Sequence, residues 1–568
     1  MFFRTFASVE RIAQNEAMKS EGKNSINKVV SYWKWGLSLF LGIGIFCWWG
    51  LIKPHILSYE EQYQLFLCSV DYFQERLSVP GGLAEWLGEF IVQFYTKPFL
   101  GALLLALVYL LLQRLIASFL SSESYLISFI PTILLFWFMG DSEVLLSLPI
   151  AIILALLVAK IRIESCWTAF AFEIVAIPLL YWFAGPMAWL YVAMRFLQNY
   201  RRYCYTPLWL LAIPVALWYT SFDQWPLQSL LLSMGYYRKP VIYPFWLWLI
   251  PLAVWLTVVF DKFKGYRVVK LPVQVVVLLA LCWFAKGDNS EKEELIWQDC
   301  QIRHEAWDKV IKRAGEKTVN TVFWSNSVNL ALAETRQLAD RMFEFYQSGI
   351  DALLMNMVRD PFSNLPAAEA FYRLGMVNSA QRYMFDMQES IYNGRKSGRF
   401  TQRIAECYII NGKYDLARKH LALLKQSLFY QSWAEDAETY LGDEAKINAH
   451  PVWGKLRQLR LKDDYLFYYP EMAAMLGSLF NGNRNNTLAL DYFVAQLLLN
   501  GDAPSFQQAL PWVQQYGGYR EMPRGYRDVM TCIQNQGNVP GSPYAAFIRR
   551  MLDTANKQQN SNHDESAH

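Results

Sequence analysis

The sequence predicts an all-α protein: a polytopic membrane helix bundle of about nine transmembrane helices, followed by an α-helical repeat domain. Three observations predict it. Over 568 residues, 54% are hydrophobic and only 18% charged, against about 25% charged in soluble domains. The charge is also unevenly placed: residues 1–286 carry 22 Lys+Arg and 16 Asp+Glu, whereas the remainder carries 31 and 33. Finally, a Gly-turn pattern recurs in the charge-rich half 37 residues apart, at Gly375 and Gly412. With 30 Gly and 23 Pro, composition excludes a collagen-like or disordered chain, and a net charge of +4 leaves no electrostatic footprint for nucleic acid.

Apolar stretches long enough to cross the hydrocarbon place spans at 33–52, 99–120, 125–139, 144–159, 166–183, 186–198, 207–220, 243–260 and 268–285. Residues 1–32 form a mostly polar segment before the first of them, so that span does not read as a cleaved signal peptide. The predicted membrane domain is 33–286, with a long loop at 53–97 after its first span. The high content of Trp (22) and Tyr (33) suits rings at membrane–water boundaries.

Basic residues are retained on the cytoplasmic side. Six lie in the N-terminal segment and at the start of the first span (Arg4, Arg11, Lys19, Lys23, Lys28, Lys34). The even-numbered connections add Lys160, Arg162, Arg195, Arg201, Arg202, Lys262 and Lys264, whereas two of the odd ones hold none. This alternation predicts a bacterial inner-membrane protein with its N-terminus in the cytoplasm. An odd number of spans then puts residues 287–555 outside it.

That second half reads as helix after helix. Gly375, Val377 and Ala380 in FYRLGMVNSAQRY recur as Gly412, Tyr414 and Ala417 in CYIINGKYDLARKH. A tight turn followed by a small residue lets two helices approach closely, and the pattern resembles tetratricopeptide-type repeats, whose period is about 34 residues. The tail 556–568 lacks large apolar residues and is expected to be disordered. Eight Cys and six His show no metal-binding spacing.

In the first loop, Tyr59, Tyr63, Phe66, Val70, Phe73 and Leu77 fall on one helical face. Past Pro80-Gly81-Gly82, a second stripe of Leu83, Leu87, Phe90, Ile91 and Phe94 stands opposite Glu85 and Glu89. The expectation is two amphipathic helices on the outer membrane surface with their acids in water. The next outside turn, Gly140-Asp141-Ser142-Glu143, spaces two carboxylates so that they can share one divalent cation such as Mg²⁺ or Mn²⁺.

Acids on two successive outer loops of a multi-span bundle resemble the layout of the GT-C superfamily of membrane glycosyltransferases. The resemblance implies an acid/base role for Glu60, Glu61 or Asp71, and a metal or substrate-positioning role for Asp141 with Glu143. It also implies a polyprenyl-phosphate-linked sugar as substrate. Arg238 and Lys239, the only adjacent basic pair in the outside loops, are then the candidate phosphate binders. The chain as a whole resembles uncharacterised multipass proteins of Bacteroidota with helical-repeat tails.

Glu173 falls inside a predicted span, where a carboxylate is expensive and faces the bundle interior, with no basic residue evident at its depth. Nucleotide-binding loops, serine-hydrolase elbows and zincin motifs are absent. Two functional classes follow: a transferase acting on a lipid-linked sugar at the outer face, or a non-catalytic membrane-anchored scaffold whose repeats bind envelope proteins or peptides.

Overall fold

A computed structural model describes residues 32–139, 146–220, 225–232, 245–262, 267–284, 290–391, 394–461, 466–537 and 539–565. These residues are helical, with no strand among them. The chain forms two units. The first comprises Met1–Leu57 and Val70–Asp288; the second comprises Ser58–Ser69 and Asn289–His568.

Among the described residues of the first unit, three helices are long and apolar enough to cross a membrane: Tyr32–Ile52, Pro98–Ala117 and Cys166–Gln198, of 21, 20 and 33 residues. Other helices are shorter, among them Ser147–Ala159 (13 residues), Thr206–Thr220 (15) and Leu249–Lys262 (14). Of the nine stretches expected from hydropathy, few therefore reach the roughly 20 residues of a simple crossing. The two expected spans at 166–183 and 186–198 lie in one 33-residue helical run, interrupted by a 3₁₀ turn at Gly185–Met187.

Pro98–Ala117 shows how such a helix is held. Ala102, Leu105, Tyr109 and Leu112 are buried, while Leu103, Leu107 and Leu111 stay about half exposed on the other side. A helix that is apolar all round suits a lipid exterior better than water. Its one buried amide, Gln113, accepts from Ser38 Oγ at 2.7 Å and donates to Ser128 Oγ at 2.7 Å. That polar cluster ties three helical segments where the hydrophobic effect cannot do so.

The first loop departs from the expected pair of surface helices. Pro54–Glu61 and Val70–Leu77 are helical, but 62–69 is not, so the stripe drawn from Tyr59 to Leu77 is broken in the middle. In Gly82–Val92 the faces are inverted: Glu85 and Glu89 are buried and Phe90 is 39% exposed. The inversion has a partner behind it, because Arg76 Nε donates to Glu89 at 2.9 Å and the Tyr72 hydroxyl donates to the same carboxylate. A buried acid is tolerated when paired and hydrogen-bonded, and its apolar neighbours then turn outward. The break between the helices docks on the Gly185 turn. Gly81 (φ 84°) and Gly185 (φ 59°) approach so closely that a Cβ on either would meet the other's backbone at 3.4–3.5 Å. The Gly81 amide also donates to the Trp182 carbonyl at 2.8 Å.

The second unit is a succession of helix pairs. Leu365–Leu374 and Val377–Glu389 are joined at Gly375, Gly398–Ile410 and Tyr414–Leu424 at Gly412, and Thr487–Leu499 and Ala503–Tyr516 at Gly501. Each turn is closed alike. The amide just past the glycine reaches back to the last helical turn, as Met376 to Phe371, Lys413 to Tyr408 and Asp502 to Leu497, each at 2.9 Å. These glycines have φ of 86°, 71° and 70°, the left-handed cap that a side chain disfavours. Ala380 and Ala417 are fully buried behind their turns. The last helix runs Pro543–Glu565, past the point at which disorder was expected; its Ala, Lys and Gln are strong helix formers.

Residues 58–69 are integral to this unit. Leu65 and Phe66 are buried, with Leu65 in the same core as Phe371, Phe400 and Leu424. The Leu65 amide donates to the Lys396 carbonyl at 2.8 Å and the Cys68 amide to the Gln426 carbonyl at 2.7 Å. Burying one large apolar side chain contributes about 1.5–3 kcal/mol, so Leu65 and Phe66 with these hydrogen bonds offset part of the entropy lost on ordering the segment.

Candidate functional site

The sequence-predicted acids are divided between the two units. Glu60 and Glu61 lie in the second unit, on the segment just described, whereas Asp71 lies in the first, exposed in the opening turn of Val70–Leu77. Glu61 is 3% exposed, and its carboxylate accepts from the Tyr430 hydroxyl at 3.0 Å. Beside it Gln62 accepts from Arg399 at 3.0 Å. Asp141, Glu143, Arg238 and Lys239 lie outside the described residues. Among the described residues, no group of three or more His, Cys, Asp or Glu is arranged to hold a metal ion.

Glu173 is fully buried, and it has the basic partner that the linear sequence hid. Arg195 Nε lies 3.0 Å from its Oε1, and the Tyr191 hydroxyl donates to Oε2 at 2.6 Å. Arg195 also donates to the Ile161 carbonyl at 2.7 Å. The pairing was invisible because the Gly185 turn brings back a residue 22 positions along the chain; helical spacing within one span would never align them.

A cavity of about 600 Å³ lies within the second unit. That is within the roughly 300–1,000 Å³ of small-molecule sites. Its floor is an ionic network on two neighbouring helices. Arg373 contacts Glu369, Glu305 and Glu334 at 3.0, 2.6 and 3.5 Å. Arg403 reaches Glu369 at 2.8 Å and Glu406 at 3.0 Å. Tyr372 donates to Glu406 at 3.1 Å, and the Arg403 guanidinium lies 3.7 Å from the Tyr372 ring centre. Arg399, also in the lining, is held by Asp299 at 2.7 Å.

Burial alone would raise the Glu369 carboxyl, but Arg403 and Arg373 together outweigh it and hold the group below its usual range. Glu369 is therefore ionised at neutral pH although only 6% exposed.

The rest of the lining is aromatic and apolar in part, with Trp433, His450, Pro451, Val452 and Trp453. The His450 ring stacks on Trp453 with centres 4.1 Å apart and planes 16° from parallel. Its Nδ1 accepts from the backbone amides of Val452 and Trp453, at 3.3 and 3.2 Å. Burial lowers its pKa, which favours the uncharged ring, and the two amides at Nδ1 leave the proton on Nε2.

None of these residues was singled out from sequence. A signal existed: Glu369 sits among Ala367, Ala368, Ala370 and Phe371, all buried, so an acid occupies a core-facing position. Glu369 with Arg373, and Arg399 with Arg403, also stand four residues apart on one helix face.

A family model described as a family of unknown function, DUF6057, matches residues 30–554, and the chain belongs to that family. No curated protein and no solved structure matches it.

Proposed function

We propose that this member of a family of unknown function is a multi-pass membrane protein whose tetratricopeptide-like unit acts outside the cytoplasm as a non-catalytic recognition module. The observation that carries the reading is the cavity of about 600 Å³ in the second unit, with its ionic floor and aromatic lining. Concave surfaces of helical repeats ordinarily serve to bind partners. The membrane half supplies the anchor, through the three full-length apolar helices and the shorter ones between them.

The side of the membrane follows from topology. Residues 58–69 come after the first apolar helix, and they fold into the same unit as residues 289–565. One folded unit occupies one compartment, so the chain crosses the bilayer an even number of times between residues 70 and 288, whatever the count. With the basic N-terminal segment retained in the cytoplasm, the first crossing puts the whole second unit outside. The nine spans read from hydropathy satisfy this condition, with eight of them after the loop.

The transferase reading would have the acids of the outer loops work together. It draws less support, because Glu61 is buried and its carboxylate accepts from the Tyr430 hydroxyl.

The test is genetic. In a deletion strain with a measurable envelope phenotype, Asp71→Asn should complement fully, whereas a Trp433→Ala/Gln402→Ala chain should fail despite normal levels. Loss of complementation by Asp71→Asn alongside full complementation by the cavity variant would reverse the assignment in favour of catalysis.

A further inference from the structure

The chemistry of the cavity narrows its ligand. We infer that it binds a neutral oligosaccharide, an assignment that rests on the recognition reading above and names its ligand class.

Consider first what the lining excludes. Its basic side chains are Arg303, Arg373, Arg399, Arg403 and Lys455; four acids, Glu305, Glu334, Glu369 and Glu406, stand among them. Arg373 and Arg403 are consumed by those acids, and Arg399 by Asp299. The charge is thus nearly balanced, and a phosphate or polyanion would find little net attraction. A purely apolar ligand would strand the ionic floor without water, at the cost of desolvating several charges. Peptides are commonly held at a sheet edge, in an apolar groove or in an aromatic-lined groove. The described residues hold no strand and the network is ionic rather than apolar, so of these modes only the aromatic-lined groove competes, which a peptide array tests.

What remains fits a polyhydroxyl ring. Guanidinium and carboxylate groups alternate along Glu305–Arg373–Glu369–Arg403–Glu406 and so present donors and acceptors side by side. Neighbouring hydroxyls on a sugar can each accept from one and donate to the next, through charge-assisted hydrogen bonds. Gln402, half-buried in the lining, and the Nε2–H of His450 add neutral donors. In the same lining, the half-buried rings of Trp433 and His450, the latter backed by the buried Trp453, offer flat surfaces for the C–H faces of the rings. A volume of about 600 Å³ has room for a few rings.

The experiment uses the full chain in lipid nanodiscs, because a maltoside detergent would present a competing sugar. Two arrays are probed in parallel: neutral tetrasaccharides of glucose, mannose, galactose and N-acetylglucosamine, and a peptide array including acidic sequences. Any tetrasaccharide retained is then titrated by calorimetry.

At least one sugar should bind with an affinity insensitive to salt. Trp433→Ala should weaken it about tenfold, and Gln402→Ala should weaken it independently, with the helical circular dichroism unchanged in both. Silence on the sugar array with peptide binding that Trp433→Ala abolishes would overturn the saccharide assignment while leaving the recognition reading intact. Silence on both arrays would overturn both. Sugar binding unchanged in both variants would place the site elsewhere and overturn the assignment.

Discussion

Tyr430 donates a hydrogen bond to the buried carboxylate of Glu61 across 369 positions of the chain. That contact, with Leu65 in the second unit's hydrophobic core, makes a twelve-residue piece of the first loop a structural part of the C-terminal unit. A fragment beginning at residue 289 would lack it. Such a fragment should therefore be protease-sensitive, and adding a peptide of residues 58–69 should restore protection. In the full chain, Tyr430→Phe leaves Glu61 without this donor and should cost about 1–3 kcal/mol. Leu65→Ala should cost about 2–4 kcal/mol. Thermal unfolding of the purified protein reads both, and unchanged midpoints would mean that the segment is not integral.

The proposed placement of the second unit outside the cytoplasm can be tested on Cys68. Cys68 is exposed on the segment, while Cys407 and Cys532 are buried. A membrane-impermeant maleimide should label Cys68 from the periplasmic side in cells whose C-terminal reporter also reads outside. Opposite sides for the two would contradict a single folded unit.

Acid should unfold the repeat unit through Glu369. Its carboxyl is held below the ordinary 4.5 by Arg403 and Arg373. A depressed carboxyl contributes stability above its unfolded pKa and loses that contribution as pH falls through the folded value. Glu369→Gln should thus cost about 3 kcal/mol at pH 7, with the deficit shrinking as pH drops below about 4.5. A deficit constant from pH 7 to pH 3 would show that the ion pairs are not its source.

Glu173 and Arg195 should behave as a coupled pair. Removing one partner leaves a buried charge uncompensated, at about 3–5 kcal/mol. Glu173→Gln and Arg195→Met should each destabilise strongly, and the double variant should recover much of the loss. Additive losses in that cycle, read as thermal midpoints in nanodiscs, would deny the coupling.

Gly81 and Gly185 should resist substitution because of their backbone conformation. Each has positive φ, and each faces the other's backbone at 3.4–3.5 Å. Alanine at either position should cost about 1–2 kcal/mol from the left-handed backbone alone. Gly36, with nothing within 4 Å of an added Cβ, is the control and should accept alanine.

Composition and periodicity were enough to read helices throughout, an apolar half, a charge-rich half, and the turns at Gly375 and Gly412. Those properties are local, because apolar runs, helix propensity and left-handed glycine caps depend on neighbours within a few positions. Tertiary structure decided the rest. Amphipathicity alone placed Glu85 and Glu89 in water; only the fold brings Arg76 and Tyr72 to Glu89 and turns that face inward. The stripe from Tyr59 to Leu77 kept its period, yet residues 62–69 left the helix because long-range burial of Leu65 and Phe66 is worth more than a few helical hydrogen bonds in one loop. The cavity likewise draws on side chains from Arg303 to Leu456. Which charges meet across that separation is set by packing, a property that no local window of sequence contains.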